Sequence, residues 1–103
     1  MKKCIVVTTL SNDLGIIKNI QTELLEKHLV AGCQINEVKS TYWWNDEIND
    51  STEYKLELRT KENLYQDIEL IIKSLHNYEV PEISYYELKG SNEIIDWINK
   101  NTK

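Results

Sequence analysis

The feature that most constrains this chain is its single proline, Pro81, which separates two different hydrophobic patterns. Before it, apolar residues recur at helical spacing as far as Leu75, and after it residues 82–88 are predicted to form a strand. Proline fixes its own φ and moves the preceding residue toward extended geometry, so a helix that reaches His76 must end there. Residues 76–83 are therefore predicted to form a corner between a helix and a strand.

Hydrophobic periodicity predicts the remaining elements. Residues 3–9 form a continuous β-rich run, and the amphipathic helix that follows is predicted to end at Gly32 in a left-handed conformation. Residues 33–44 and 51–60 are predicted to be the two arms of a hairpin, because they are extended segments on either side of a polar turn. Thr60 is then expected to cap the helix that leads to the corner.

The order β-α-β-β-α-β, with a short C-terminal helix, indicates one domain that covers residues 1–103. Two βα units around a hairpin are typical of the ferredoxin-like arrangement in the α+β class, in which helices cover one face of an antiparallel sheet. The other face is expected to be open and lined by the alternating charged residues of 51–60. The hairpin arms are long for a domain of this size, and are predicted to extend beyond what the sheet can pair.

Three consecutive aromatic residues, Tyr42, Trp43 and Trp44, lie on the first arm of that hairpin. Neighbouring side chains of a strand face opposite ways, so one helical layer cannot bury both tryptophan rings. We predict that they form a self-association surface. A bulge that places both rings in one core and a platform for a ligand are the alternatives.

Titratable side chains are concentrated in the corner, where a histidine, a phenol and two carboxylates lie within seven residues. His76 and Glu79 offer nitrogen and oxygen ligands for a metal ion, although a histidine in a last helical turn also complements the helix dipole. Cys33 offers a soft ligand, but a cysteine at the start of a strand is most often a small buried hydrophobe. Neither C-x-x-C nor H-x-x-x-H spacing occurs in the sequence, nor does a phosphate-binding glycine motif.

Charge and the N-terminal sequence limit the partners. Seventeen acidic residues against twelve basic ones give a net charge of -5, which disfavours nucleic acid and anionic membranes and suits cations. The apolar run from Cys4 to Val7 is too short for a signal peptide or a membrane span. Two cysteines without an export signal favour a reducing compartment, so a cytoplasmic location is predicted.

Four ordered motifs resemble the CutA family of divalent-cation tolerance proteins, and they lie at residues 29–36, 40–44, 53–60 and 76–83. The resemblance implies a non-enzymatic homotrimer built by edge pairing of the long hairpins. It also implies that divalent metal ions, copper among them, or a small regulatory ligand bind in clefts between subunits, with no metal required for folding. The positions that this implies are metal ligands at His76, Cys33 and Glu79, and interface or cleft residues at Tyr42, Trp43, Trp44, Tyr78 and Pro81.

The sequence departs from the family pattern at several positions. Asn77 replaces the first proline of the His-Pro-Tyr-Glu-Val-Pro-Glu signature, and Thr8 and Leu75 stand where some bacterial members carry a cysteine and a second histidine. A copper site that uses those extra ligands would keep only His76. The alternatives are a small enzyme of the acylphosphatase type, a trimeric PII-like signalling module and an RNA-binding module. The only arginine, Arg59, falls in a predicted strand and not in an anion-binding loop, and RNA-stacking phenylalanines are absent from the sequence.

Overall fold

A four-stranded antiparallel sheet forms the centre of the computed structural model, which describes residues 2–103. The elements along the chain are β1 (Cys4–Ser11), α1 (Leu14–Glu26), β2 (Gly32–Trp44), β3 (Glu47–Lys61), a 3₁₀ turn (Glu62–Leu64), α2 (Tyr65–Leu75), β4 (Ile83–Leu88) and α3 (Asn92–Lys100). The strands lie in the sheet in the order β2-β3-β1-β4. The predicted α+β fold with ferredoxin-like element order is therefore confirmed.

Helices α1 and α2 cover one face of the sheet because each carries an apolar stripe at helical spacing. Most of each stripe and of the facing residues of β1 and β3 is completely buried, and the residues with no solvent exposure include Ile17, Ile20, Leu24, Ile68, Ile72, Ile5, Val7, Leu56 and Leu58. Each such side chain stabilises the fold by about 1.5–3 kcal/mol relative to an exposed one. This layer fixes the position of α2, and with it the corner that follows.

The opposite face of the sheet was predicted to be open, but α3 covers part of it. Cys4 and Val6 alternate along β1 with the residues that face α1 and α2, yet both are buried. Helix α3 contacts β1 and β3, buries Ile98 completely, and places the Asn99 amide 3.5 Å from Cys4 Sγ. The amphipathic pattern predicted this helix correctly, but it carried no information about which face the helix would cover.

The prediction that Gly32 ends the first helix is wrong. Helix α1 ends at Glu26, and His28 takes the left-handed conformation with a φ of 56°. Gly32 instead begins β2 beneath the ring of Trp97, where a Cβ would lie 3.0 Å from the ring atom Cη2. Glycine is therefore favoured at this position because α3 approaches the strand closely, and not because the backbone turns.

The prediction that Thr60 caps the second helix is also wrong. Strand β3 continues to Lys61, and Thr60 is buried within it with its hydroxyl donating to the carbonyl of Leu29. A 3₁₀ turn then precedes α2, and within residues 2–103 no side chain caps that helix. A threonine before an amphipathic helix is a common capping signal, but here the strand pairing with β1 extends past it.

The β2–β3 hairpin projects beyond the rest of the sheet. Within residues 2–103, β1 pairs with β3 at residues 54–61, whereas β2 pairs with β3 along residues 47–59. The chain measures 44 × 24 × 21 Å as a result. Asn45 and Asp46 close the hairpin with φ values of 50° and 61°, as a two-residue turn requires. The predicted excess of hairpin length over the paired sheet is therefore confirmed.

Candidate functional site

A cavity of about 780 Å³, called the cleft below, opens between the projecting part of the hairpin and the corner. The hairpin contributes residues 40–44 and Glu53, the end of β1 and the loop after it contribute Leu10 and Asn12, and the corner contributes residues 77–80 and Glu82. The fold therefore brings together the two stretches that the sequence marked, one for its aromatic residues and the other for its titratable groups.

A buried carboxylate, Glu53, lies in the wall of the cleft with only 7% of its surface exposed. The Tyr78 hydroxyl donates to Glu53 Oε2 at 2.7 Å and accepts from the backbone N–H of Asn12 at 2.8 Å. Burial, followed by the hydrogen bond and charge of Glu53, raises the pKa of Tyr78. Tyr78 therefore stays protonated and holds the corner, the β1–α1 loop and β3 together.

His76 positions Tyr78. It stands at the C-terminus of α2, where its Nε2 lies 2.7 Å from the carbonyl of Leu10 and its Nδ1 accepts from the backbone N–H of Tyr78 at 3.0 Å. These partners require a proton on Nε2 and a lone pair on Nδ1, which is the neutral ring. Burial lowers the pKa of His76, while the Leu10 carbonyl and Glu53 oppose that shift. Both ring nitrogens are thus engaged in holding the corner.

The aromatic residues of the hairpin line the cleft and do not enter the core. Tyr42, Trp43 and Trp44 are 40%, 71% and 42% exposed, and each pairs in regular register with β3. The alternative in which a bulge buries both tryptophans in one core is therefore wrong. Pro81 lies half-buried in the corner and is not among the residues of the cleft wall.

Asn77 links the corner to the β1–α1 loop. The Ser11 hydroxyl lies 2.6 Å from Asn77 Oδ1, and the Asn77 amide donates to Asn12 Oδ1 at 3.0 Å. The substitution of the first motif proline by asparagine therefore adds side-chain contacts that a proline cannot make. The sequence contained no signal for these contacts, because Ser11 and Asn77 lie 66 residues apart.

The model of the family described as "CutA1 divalent ion tolerance protein" matches residues 4–101. The chain belongs to this family. It is 31% identical over 100 residues to the divalent-cation tolerance protein CutA of Pyrococcus horikoshii, an alignment that covers 96% of this chain and 98% of that one. It is 40% identical over 78 residues to a probable cutA homolog of Encephalitozoon cuniculi, over 75% of this chain and 68% of the relative.

Solved CutA1 structures share the whole architecture. The CutA1 of Ehrlichia chaffeensis superposes with a TM-score of 0.91 at 30% identity and covers 100% of this chain and 98% of its own. The protein of Archaeoglobus fulgidus, described as a periplasmic divalent cation tolerance protein, gives 0.93 at 27% identity over 97% and 99% of the two chains. These relatives are named for cation tolerance and not for an enzymatic activity. In residues 2–103 of the present chain, no helix is long and apolar enough to cross a membrane.

The three metal ligands predicted for this chain lie in different surroundings. Cys33 packs against the main core on β2, where burial raises the pKa of its thiol to about 12 and Arg59 opposes this only partly. Glu79 is exposed in the cleft, and His76 is held by its two backbone partners. Among residues 2–103, no group of three or more His, Cys, Asp or Glu side chains is arranged to hold a metal ion. The side chains of one subunit therefore do not fit a tight metal centre.

Sequence reasoning missed Glu53, which is the most buried acidic residue of the cleft. The alternation along the strand placed it with Lys55, Glu57 and Arg59 on a solvent-facing side. The corner folds back over this part of β3, and Tyr78 covers the carboxylate. A glutamate in an alternating strand carries no local signal of such burial, because the covering residue lies 25 positions further along the chain.

Proposed function

We propose that this member of the CutA1 family is a homotrimer that contributes to tolerance of divalent cations, copper among them. The subunits associate through their hairpins, and cations or a small regulatory ligand bind in the clefts between them. The projecting hairpin with its unpaired strand edge is the single observation that carries this proposal.

Edge strands support the assembly. In the described part of the chain, β2 pairs on one side with β3, and its other edge has no partner strand. An exposed edge of 13 residues favours pairing with another copy, and a closed ring satisfies every such edge once. The hairpin tip also exposes apolar side chains, with Trp43 at 71% and Ile48 at 64%. An obligate interface of this kind usually buries more than about 2,000 Å².

Cation binding is proposed at the same clefts because their charge favours it. Glu53, Glu79 and Glu82 line the cleft, and the net charge of the chain is -5. A metal ion held there needs ligands from a second subunit, since in residues 2–103 of one chain these carboxylates are not arranged as a group of three that could hold an ion. His76 and Cys33 would each have to leave their present surroundings to take part, so we expect the carboxylates to make the first contacts with the ion. The expected affinity is correspondingly weak.

Absence of catalysis is part of the proposal. An acylphosphatase-type reaction needs a cation in an anion-binding loop, and Arg59 lies inside β3 between its partners on β1 and β2. The walls of the cleft are acidic, which opposes a phosphate or acyl phosphate substrate. A cytoplasmic location stays a prediction.

Native mass spectrometry and sedimentation at low micromolar concentration test the assembly, with and without Cu²⁺, Zn²⁺ and Mg²⁺. The parent protein is expected to be a trimer that survives dilution and takes up ions in multiples of three. Trp43→Glu is expected to give monomer or unfolded protein, because it places a charge in the interface proposed for the exposed side chains of Trp43 and Ile48. Leu70→Glu is the matched control, since Leu70 is 66% exposed on α2, away from the hairpin. A well-folded monomeric parent would contradict the proposal.

A further inference from the structure

The cleft combines negative charge with a lack of positive charge. Glu53, Glu79 and Glu82 contribute carboxylates, and among the residues that the structure describes no lysine, arginine or histidine lines the wall. Glu53 is 7% exposed and accepts a hydrogen bond from the Tyr78 hydroxyl at 2.7 Å, so water screens its charge less than that of a surface carboxylate. Such a wall attracts cations and repels anions.

Aromatic rings form the other side of the cleft. Tyr42 and Trp44 line it on the same face of the hairpin as Glu53, because their partners Asn49 and Glu47 lie on the same side of β3 as Glu53. The two side chains are 40% and 42% exposed. The faces of tryptophan rings attract cations, and most strongly those that have shed their water. A metal ion that keeps its hydration shell gains little from indole rings, whereas an organic cation gains both the ring contacts and the charge.

Size favours the same kind of ligand. A volume of about 780 Å³ lies within the range of small-molecule sites, roughly 300–1,000 Å³, and far exceeds what one ion fills. Residues 2–103 also lack a group of three or more metal-ligating side chains. Volume and aromatic lining therefore favour a ligand larger than a metal ion, and the charge favours a cation.

We propose that the cleft binds an organic cation, an ammonium ion carried on an apolar group. The carbon atoms lie against Tyr42 and Trp44, and the positive charge lies toward the carboxylates of Glu53 and Glu79. The inference deepens the proposed function and rests on it, because it names the chemical class of the small ligand for the cleft assigned above.

Titration calorimetry with choline as the probe tests this, using the full chain in its native assembly. The neutral compound 3,3-dimethyl-1-butanol is the control ligand, since it has the shape of choline without the charge. We expect choline to bind and the neutral alcohol to bind at least about tenfold more weakly. Equal binding of the two compounds, or no binding of choline, would overturn the proposal.

Charge variants place the site. Glu79→Gln is expected to weaken choline binding by about three- to tenfold, because it removes one exposed carboxylate from the cleft. Glu87→Gln makes the same change of net charge on β4, outside the cleft wall, and should leave binding unchanged. Equal losses in the two variants would mean that choline responds only to net charge, and would overturn the assignment of the site.

Sedimentation of the same samples separates the two proposals. A trimer that fails to bind choline overturns the ligand class and leaves the assembly standing. A monomer that binds choline in preference to the neutral alcohol supports the ligand class and overturns the proposal that the protein is a trimer with clefts between subunits.

Discussion

Removal of one oxygen atom at Tyr78 should destabilise the fold far more than the same change at an exposed tyrosine. In Tyr78→Phe the ring keeps its place, but Glu53 Oε2 loses a donor at 2.7 Å and the Asn12 N–H loses an acceptor at 2.8 Å. Because Glu53 is 7% exposed, water replaces the lost donor poorly.

The expected loss follows from these two contacts. A hydrogen bond to a charged group contributes about 1.5–3 kcal/mol, and one between neutral groups about 0.5–1.5 kcal/mol. Asn12 is exposed, so water takes over its N–H, and that contact contributes at the low end of its range. The sum is about 2–3 kcal/mol, which for a domain of this length lowers Tm by roughly 10–20 °C.

Tyr86→Phe is the matched control. Its hydroxyl donates to Glu57 Oε2 at 3.2 Å, but Tyr86 is 54% exposed, so the expected loss is below about 1 kcal/mol. Urea unfolding of parent and variants at one fixed protein concentration measures both, since assembly makes stability concentration-dependent. Equal losses in the two variants would refute the reasoning that burial of Glu53 makes the Tyr78 contact strong.

Three further predictions concern other parts of the fold. Burial lowers the pKa of His76 below its ordinary value of 6.5. The contribution of the neutral ring to stability is therefore present above pH 6.5 and is lost as the pH falls through the lower pKa of the folded state. A pH series of unfolding free energies should show this loss in the parent protein and lack it in His76→Gln. Gly32→Ala should cost about 1–3 kcal/mol in urea unfolding because its Cβ would meet the Trp97 ring at 3.0 Å, and Trp97→Leu in the same chain should recover part of the loss. Cys33 should react slowly with a thiol reagent in the native protein and rapidly after denaturation, because burial raises its pKa to about 12; fast native labelling would contradict this.

Local sequence patterns predicted most of the fold because each element carries its own period. The stripe of α2 and the proline after it predicted where that helix ends, and the structure ends it at Leu75. Local patterns gave the wrong role where a contact with a residue distant in sequence determines the structure. Gly32 is a residue type that commonly ends a helix, but here it lies in a strand against Trp97, 65 positions away. Thr60 is a residue type that commonly caps a helix, but here it continues a strand paired with β1.

The sequence predicted where the candidate site lies, but not what its individual residues do. The corner and the aromatic hairpin were marked by their residue types, and the fold places both in one cleft. The burial of Glu53 was not predictable, because no local pattern reports that Tyr78 covers it. The different surroundings of His76, Cys33 and Glu79 were also hidden, since sequence order does not report which groups pack around a side chain.

The titratable side chains that stand out in the sequence mainly make hydrogen bonds that stabilise the fold. His76 uses both ring nitrogens to hold Leu10 and Tyr78, and Tyr78 uses its hydroxyl to hold Glu53. Because these groups already have partners, a ligand gains little by competing for them. What the cleft offers a ligand is the negative charge behind those contacts and the open aromatic faces of the hairpin. Both attract cations without displacing a hydrogen bond, so binding is compatible with the corner staying in place.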